Sequence, residues 1–204
     1  INAKYIHSNP AIYSLTAYAG KFADADGVSL REHINIAEYT INQQIEDIEA
    51  DIYRKMPDVL AISCYIWNFS MVQELIEDIH QVRPDLPIWL GGPEVSFHPE
   101  QSMQKFPFLA GIMIGEGEQT FVELLQYYLA DGVKSPEDIA GLCLASGYTG
   151  ERQCLAMDEI PFPYSDLSDF ENRIIYYESS RGCPFRCKYC LSSLDKQLRF
   201  RSID

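Results

Sequence analysis

VLAISCYIWNFSMVQELIEDIHQVRPDLPIWLGGP, residues 59–93, is the stretch that decides the fold. It begins with a continuously apolar run, residues 59–67, which is typical of a strand covered on both faces. Apolar residues then recur at three- and four-residue spacing from Leu75 to Val82, which predicts an amphipathic helix with these side chains inward. A second short strand at residues 88–90 ends in Gly-Gly-Pro. A strand, a helix and a strand in this order predict two parallel strands joined by a crossover.

The same alternation continues on both sides of this unit. Upstream, residues 28–36 alternate between apolar and polar and predict a strand, and residues 41–55 carry isoleucines at helical spacing. Downstream, we expect a short helix after Pro99, a strand at residues 111–114 and a helix that runs to about residue 130. Repeated units of this kind place the chain in the α/β class, as a Rossmann-like open parallel sheet with helices on both faces.

The pattern changes in the last third of the chain. Residues 142–145 and 153–156 flank a glycine-rich turn and predict a β-hairpin, across which Cys143 and Cys154 would face each other. Residues 174–179 predict a new strand. We therefore divide the chain into three parts: a Rossmann-like domain (1–133), a hairpin with a linker (134–172), and the start of a further domain (173–204).

Composition narrows the class of protein. The chain has 204 residues, 47% of them hydrophobic, and its formal net charge is −14. So acidic a chain repels phosphate backbones, which argues against nucleic acid as a partner. Its apolar runs are too short for a membrane span, and its polar beginning does not match a secretory signal. Six cysteines in such a chain indicate a reducing compartment, so we expect a cytoplasmic protein.

The segment SRGCPFRCKYC carries the chemistry. It places Cys183, Cys187 and Cys190 at Cys-x3-Cys-x2-Cys spacing. Three thiolates can hold three irons of a 4Fe–4S cluster, which leaves the fourth iron open. The amino and carboxylate groups of S-adenosylmethionine (SAM) can chelate that iron, and an electron from the cluster can then release a 5′-deoxyadenosyl radical. A structural zinc site fits less well, because zinc needs a fourth ligand and the last histidine is His98. A disulfide among cysteines this close would be strained.

This motif resembles the radical SAM superfamily. The resemblance implies that the three cysteines bind the cluster and that Tyr189 lies near the SAM adenine. It also implies an electron donor such as a flavodoxin or ferredoxin, and a small-molecule substrate. The barrel of that superfamily needs several more strand–helix units than can follow Cys190. We therefore expect a fragment with a truncated radical SAM domain, inactive by itself, from a parent protein that is an enzyme.

A Rossmann-like domain ahead of such a motif resembles the cobalamin-binding radical SAM enzymes, including proteins like the anaerobic magnesium-protoporphyrin IX monomethyl ester oxidative cyclase. The pieces that match are residues 2–8, 91–95 and 115–121. The resemblance implies cobalamin as a cofactor, and methyl transfer, oxidative cyclisation or related radical chemistry. The expected cobalamin contacts lie after the predicted strands, where ligands of open parallel sheets bind. They are Ser63, Tyr65, Trp67, Asn68, Gly91, Gly92, Pro93, Glu94, Gly115, Glu116 and Gly117.

One departure from the cobalamin-binding pattern matters. Many such domains carry Asp-x-His-x-x-Gly, whose histidine binds cobalt from below. Here His7 lies in the corresponding loop, but Tyr5 stands in the place of the aspartate and the glycine is missing. We therefore expect cobalamin without a histidine ligand, His7 as a hydrogen-bonding residue, and Tyr65, Trp67 or Asn68 facing the cobalt.

Three other functions remain open at this point. The front domain of a radical SAM enzyme could bind substrate or act as a scaffold without cobalamin. A receiver-like domain would need a phospho-accepting aspartate at the end of a strand, whereas Asp58 precedes its strand. A tRNA-modifying radical SAM enzyme would need more cluster cysteines in the front domain, and residues 1–142 contain only Cys64.

Overall fold

The computed structural model describes residues 1–129, 134–185, 187–190 and 197–203. Its centre is a five-stranded sheet in the order β1-β2-β3-β4-β5, in which the first three strands are parallel. The last two strands are antiparallel to their neighbours. The strands are β1 (Leu60–Ser63), β2 (Ile88–Gly91), β3 (Gly111–Met113), β4 (Leu142–Leu144) and β5 (Gly147–Tyr148). The α/β prediction is therefore confirmed.

Helices connect the strands and surround the sheet. They are α1 (Pro10–Ala19), α2 (Ile45–Lys55), α3 (Phe69–Val82), α4 (Pro93–Ser96), α5 (Pro99–Lys105) and α6 (Glu118–Tyr128). Short 3₁₀ helices lie at Leu30–His33, Pro136–Asp138, Met157–Glu159 and Ser168–Phe170. Within the described ranges, no helix has both the length and the apolar character needed to cross a membrane.

The main core lies between α3 and the parallel strands. Leu75, Ile76 and Ile79 of α3 are buried there together with Ile88 and Leu90 of β2. Three of the side chains predicted to point inward, Leu75, Ile76 and Ile79, thus face the sheet. Val82 is the exception, because α3 ends at this residue and its side chain is 67% exposed.

The predicted hairpin exists, but it is tighter than expected and extends the main sheet. Its return strand is Gly147–Tyr148 rather than residues 153–156, since Gly147, at a φ of +123°, lets the chain reverse at once. Cys143 consequently pairs with Tyr148. The prediction that Cys143 faces Cys154 is therefore wrong.

Two other predicted strands are absent from the described part of the chain. Residues 28–36 instead include a 3₁₀ turn, in which Leu30 alone is buried, and turn hydrogen bonds take the place of a strand ladder. Residues 174–179 make a single bridge, between Ile174 and His7. The ladder begins only at β6 (Ser180–Arg181), which pairs with β7 (Arg199–Phe200) in a separate antiparallel ribbon. The expected first strand of a barrel is thus reduced to this ribbon.

Candidate cofactor-binding cleft

A cleft of about 700 Å³ opens at the carboxyl ends of the three parallel strands. This is where ligands of open parallel sheets bind. One wall is the start of α1, the floor is the ends of the strands, and the opposite wall is the segment that precedes the cysteine motif. The lining residues are Pro10, Ala11, Ile12, Ser14, Leu15, Ala61, Ile62, Ser63, Tyr65, Gly91, Gly92, Met113, Gly115, Glu116, Gly117, Glu118 and residues 176–181.

Glycines shape the floor of the cleft. Gly92 has a φ of +99°, and a Cβ there would lie 2.6 Å from the backbone oxygen of Cys64. Only glycine lets the turn after β2 approach the turn after β1 this closely. Gly115 has a φ of +76° and open space where its side chain would be. The backbone at Gly115 is therefore directly accessible to a ligand in the cleft.

A second, mainly apolar cavity of about 410 Å³ adjoins the first and shares Pro10, Tyr65 and Tyr176 with it. The rings of Tyr65 and Trp67 stack there, with centroids 4.5 Å apart and planes within 6°. His7 lies on the same cavity, and its Nδ1 is 2.5 Å from the Tyr176 hydroxyl. The predicted hydrogen-bonding role of His7 is thus confirmed, and the cavity offers flat aromatic surface to a large ring system.

Asn68 shapes the loop from inside rather than facing either cavity. It is fully buried, its Oδ1 accepts a hydrogen bond from the Tyr65 amide, and its Nδ2 donates to the carbonyls of Ser63 and Ile1. These bonds turn the chain just after Ser63, so β1 is shorter than the apolar run suggested. Asn68 therefore holds Tyr65 and Trp67 in place.

Glu38 anchors the loop that carries His7, a role that the sequence did not reveal. Its carboxylate accepts hydrogen bonds from the Asn2 side chain, the Asn9 amide and the Tyr13 hydroxyl, and it pairs with Arg173 at 2.7 Å. Burial opposes ionisation, but these partners hold the pKa of Glu38 below its ordinary value. The pairing partners are distant in sequence, so no local pattern signals them.

Glu116 and Glu118, which we call the acidic turn, carry negative charge at the far edge of the cleft. Glu118 is 3% exposed and accepts a hydrogen bond from Ser14 Oγ at 2.8 Å. Its Oε1 lies 2.6 Å from Nη2 of Arg181. Burial opposes ionisation of Glu118, yet Arg181 and Ser14 hold its pKa below the ordinary value. Burial likewise opposes the charge of Arg181, and Glu118 more than compensates, so the pKa of Arg181 is raised.

The structure brings most of the predicted cobalamin contacts together. Trp67 lines the apolar cavity, while Pro93 and Glu94 begin α4 and line neither cavity. Other parts of the lining were not predicted: the start of α1, residues 176–181, Glu118, and the strand residues Ala61, Ile62 and Met113. The predicted contacts that line the larger cleft are Ser63, Tyr65, Gly91, Gly92, Gly115, Glu116 and Gly117.

The cysteine motif lies on the loop that follows β6. Cys183 and Cys187 are half-buried, Cys190 is exposed, and Tyr189 is 93% exposed. The donor set, three thiols in one short loop, suits three irons of a 4Fe–4S cluster. Among the residues that the structure describes, no three His, Cys, Asp or Glu side chains converge closely enough to hold one metal ion. Cluster binding therefore stays a prediction, as does the contact of Tyr189 with SAM.

Comparison with known proteins relates the domain that carries the cleft to cobalamin-binding proteins. The family model described as the B12 binding domain matches residues 2–125. The cobalamin-dependent radical SAM methyltransferase TokK of Streptomyces tokunonensis is 31% identical over 66% of this chain and 22% of its own length. The anaerobic magnesium-protoporphyrin IX monomethyl ester cyclase of Cereibacter sphaeroides is 24% identical over 71% of this chain and 26% of its own.

A solved structure shows the same fold. The cobalamin-dependent SAM radical enzyme OxsB, with aqua-cobalamin bound, superposes with a TM-score of 0.75 at 23% identity. The match covers 96% of this chain and 28% of OxsB, so this chain spans about a quarter of the length of all three proteins. Because the family model covers more than half of its residues, this chain belongs to the family of B12-binding domains.

Proposed function

We propose that this chain binds cobalamin in the cleft, as the front domain of a radical SAM enzyme. The observation that carries the proposal is the pair of joined cavities at the carboxyl ends of β1, β2 and β3, with a glycine floor and a flat aromatic wall. Membership in the B12-binding family gives this geometry its ligand. The cobalamin-dependent relatives support methyl transfer or related radical chemistry as the reaction class of the parent protein.

The larger cleft suits the nucleotide tail of cobalamin. It is lined by α1 on one side and by the ends of the strands on the other, and Ser63, Gly91 and Gly115 give it accessible polar and backbone groups. Backbone amides near glycines are suited to hold a phosphate. The apolar cavity suits the corrin, because Tyr65 and Trp67 present flat faces that shield it from water.

We infer that His7 supports this cavity and does not bind cobalt. Its Nδ1 hydrogen-bonds to Tyr176, and its loop is held by Arg173, which donates to the His7 carbonyl at 2.7 Å. Bound cobalamin would supply cobalt for methyl-group or radical chemistry, and a cluster on the cysteines would supply the electron for SAM cleavage. Within this chain, the aromatic residues exclude water and the loops fix orientation. We propose that most contacts to a small-molecule substrate are made by other parts of the parent protein, and that an electron donor such as a flavodoxin or ferredoxin reduces it.

Reconstitution tests the proposal directly. The full-length parent protein is incubated anaerobically with hydroxocobalamin and desalted, and its visible spectrum is recorded. We expect retained corrin absorbance at about one equivalent. Ala61 lies in the cleft, so Ala61→Phe should abolish retention, whereas Ala50→Phe on the exposed face of α2 should not. No corrin on the wild-type protein would overturn the proposal and favour a front domain that acts as substrate-binding module or scaffold.

We further propose that Cys183, Cys187 and Cys190 bind a 4Fe–4S cluster in the parent enzyme. The support is the spacing of the three thiols and the radical SAM chemistry of the relatives. After anaerobic reconstitution, iron and sulfide content should approach four of each per chain. Replacing any one of the three by alanine should remove most of both, whereas Cys154→Ala should leave both unchanged. Full cluster content in the Cys187→Ala protein would contradict this assignment.

A further inference from the structure

The acidic turn joins the cleft to the cysteine motif. Both of its residues line the cleft. Their carboxylates form ion pairs with Arg181 of β6 and Arg199 of β7. We call the segment between these two strands the cysteine loop, and the structure describes both of its ends, residues 182–185 and 197–198. We propose that Glu116 and Glu118 are positioning residues that set where these two ends, and with them Cys183, lie relative to the cleft. This inference rests on the proposed function for its meaning, since it concerns the spacing of two cofactor sites.

Arg181 fixes the first end of the cysteine loop. It stands two residues before Cys183, and its side chain is only 14% exposed. Its two terminal nitrogens contact both carboxylate oxygens of Glu118, at 2.6 and 3.2 Å, and Nη1 also reaches Glu116 at 3.1 Å. Its Nε donates to Glu178 at 2.8 Å. A guanidinium held in this forked way has one orientation, so the backbone at the start of the loop is fixed too.

Arg199 fixes the second end. It is the direct partner of Arg181 in the ribbon, and its side chain is 11% exposed. Its guanidinium contacts both oxygens of Glu116 and donates to the Leu155 carbonyl at 2.5 Å. Gly182 lets the two strands approach closely, since a Cβ there would lie 2.4 Å from the Gln197 carbonyl oxygen. Both ends of the cysteine loop are thereby tied to the turn that borders the cleft.

The acidic turn is itself rigidly placed. Glu118 begins α6, where the helix dipole favours a carboxylate, and Ser14 on α1 holds it from the other side of the cleft. The same helix carries a second forked pair, Glu123 with Arg152, at 2.8 and 3.2 Å. That pair reaches neither the ribbon nor the cleft lining. It is therefore a matched control for any effect on α6 alone.

Magnetic coupling tests the inference in the full-length protein with cluster and cobalamin bound. When both cofactors are in their paramagnetic states, the splitting of the electron paramagnetic resonance signals depends steeply on the distance between them. We expect Glu118→Gln and Arg181→Lys to change this splitting in the molecules that carry both cofactors, whatever the corrin and iron content of each preparation. Glu123→Gln should leave it unchanged. Wild-type splitting in both Glu118→Gln and Arg181→Lys would overturn the inference.

Hydrogen exchange gives a second measurement that needs no cofactor. In the same full-length variants, amides at residues 180–182 and 197–200 should exchange about tenfold faster in Glu118→Gln than in Glu123→Gln. Exchange at the core of α3 should not differ. Equal exchange at both ends of the loop would also overturn the inference. A wild-type protein that retains no corrin would instead refute the proposed function, and the exchange comparison would still decide the positioning role.

Discussion

Removing the Arg181 guanidinium should destabilise the chain strongly and in a pH-dependent way. Arg181→Ala leaves the carboxylate of Glu118, 3% exposed, buried without its cation. Breaking a buried ion pair from one side costs about 3–5 kcal/mol, and because Arg181 is 14% exposed we expect the lower end, about 3 kcal/mol at pH 7. The measurement is the free energy of unfolding from urea denaturation. Arg54→Ala, which removes an exposed partner of Asp51, should change it little.

The pH dependence follows from the direction of each pKa shift. In the wild-type chain the pKa of Glu118 is lowered, so its stabilising contribution is present above the unfolded pKa and is lost as pH falls through the folded one. Without Arg181, burial dominates and raises that pKa, so the penalty is largest near pH 7 and shrinks as the carboxyl group takes up a proton. The difference between variant and wild type should therefore narrow from pH 7 to pH 5. A loss below about 1 kcal/mol, or one equal at both pH values, would refute the reasoning.

Three further outcomes follow from the cleft and its surroundings. Gly92→Ala should lower the free energy of unfolding by about 3 kcal/mol, because the new Cβ clashes with backbone at a φ that is already unfavourable for alanine. Gly27→Ala, at a φ of +82° with open space around it, should lower it by only about 1 kcal/mol. Equal losses for the two variants in urea denaturation would show that the clash does not contribute. Burial raises the pKa of the Cys64 thiol to about 12, so iodoacetamide at pH 8 should modify Cys64 far more slowly than the exposed Cys154, and comparable rates by peptide mass spectrometry would contradict its burial. The cobalt(II) spectrum of the reconstituted full-length protein should lack nitrogen splitting from an imidazole, and should be the same in His7→Ala; a nitrogen triplet that His7→Ala removes would make His7 a ligand after all.

The fold was largely readable from local patterns. The apolar run at residues 59–67, the helical spacing that follows and the Gly91–Gly92 turn define a strand–helix–strand unit by themselves, so the parallel strands and the edge where ligands bind could be predicted. The strand expected at residues 28–36 failed for a clear reason. Alternation of apolar and polar residues specifies two faces but not a partner, and Leu30 finds its burial against α1 and α6 instead.

The candidate site could be predicted only in part. Glycines and aromatic residues after strands are visible in the sequence, and seven of the predicted contacts line the larger cleft. The pairs that hold the site together, Glu38 with Arg173 and Glu118 with Arg181, join residues far apart in the chain. Asn68 was predicted to contact the ligand because it follows an apolar run. In the structure its side-chain amide instead makes hydrogen bonds to the surrounding backbone. Such long-range polar partners depend on the tertiary fold, which no single-sequence pattern encodes.

The wall formed by residues 176–181 links ligand binding in the cleft to the ordering of the segment that leads to Cys183. A ligand in the cleft that contacts this wall stabilises the folded arrangement of the segment leading to Cys183. When the ligand concentration exceeds the Kd, this stabilising free energy grows with the logarithm of the ratio of concentration to Kd. Thermodynamic reciprocity then requires that whatever orders this segment also tightens binding in the cleft by the same factor. On the proposal that cobalamin occupies the cleft and a cluster on the cysteines orders this segment, each cofactor should raise the affinity for the other. The order of addition during reconstitution should then change how fast doubly loaded protein forms, but not its final yield.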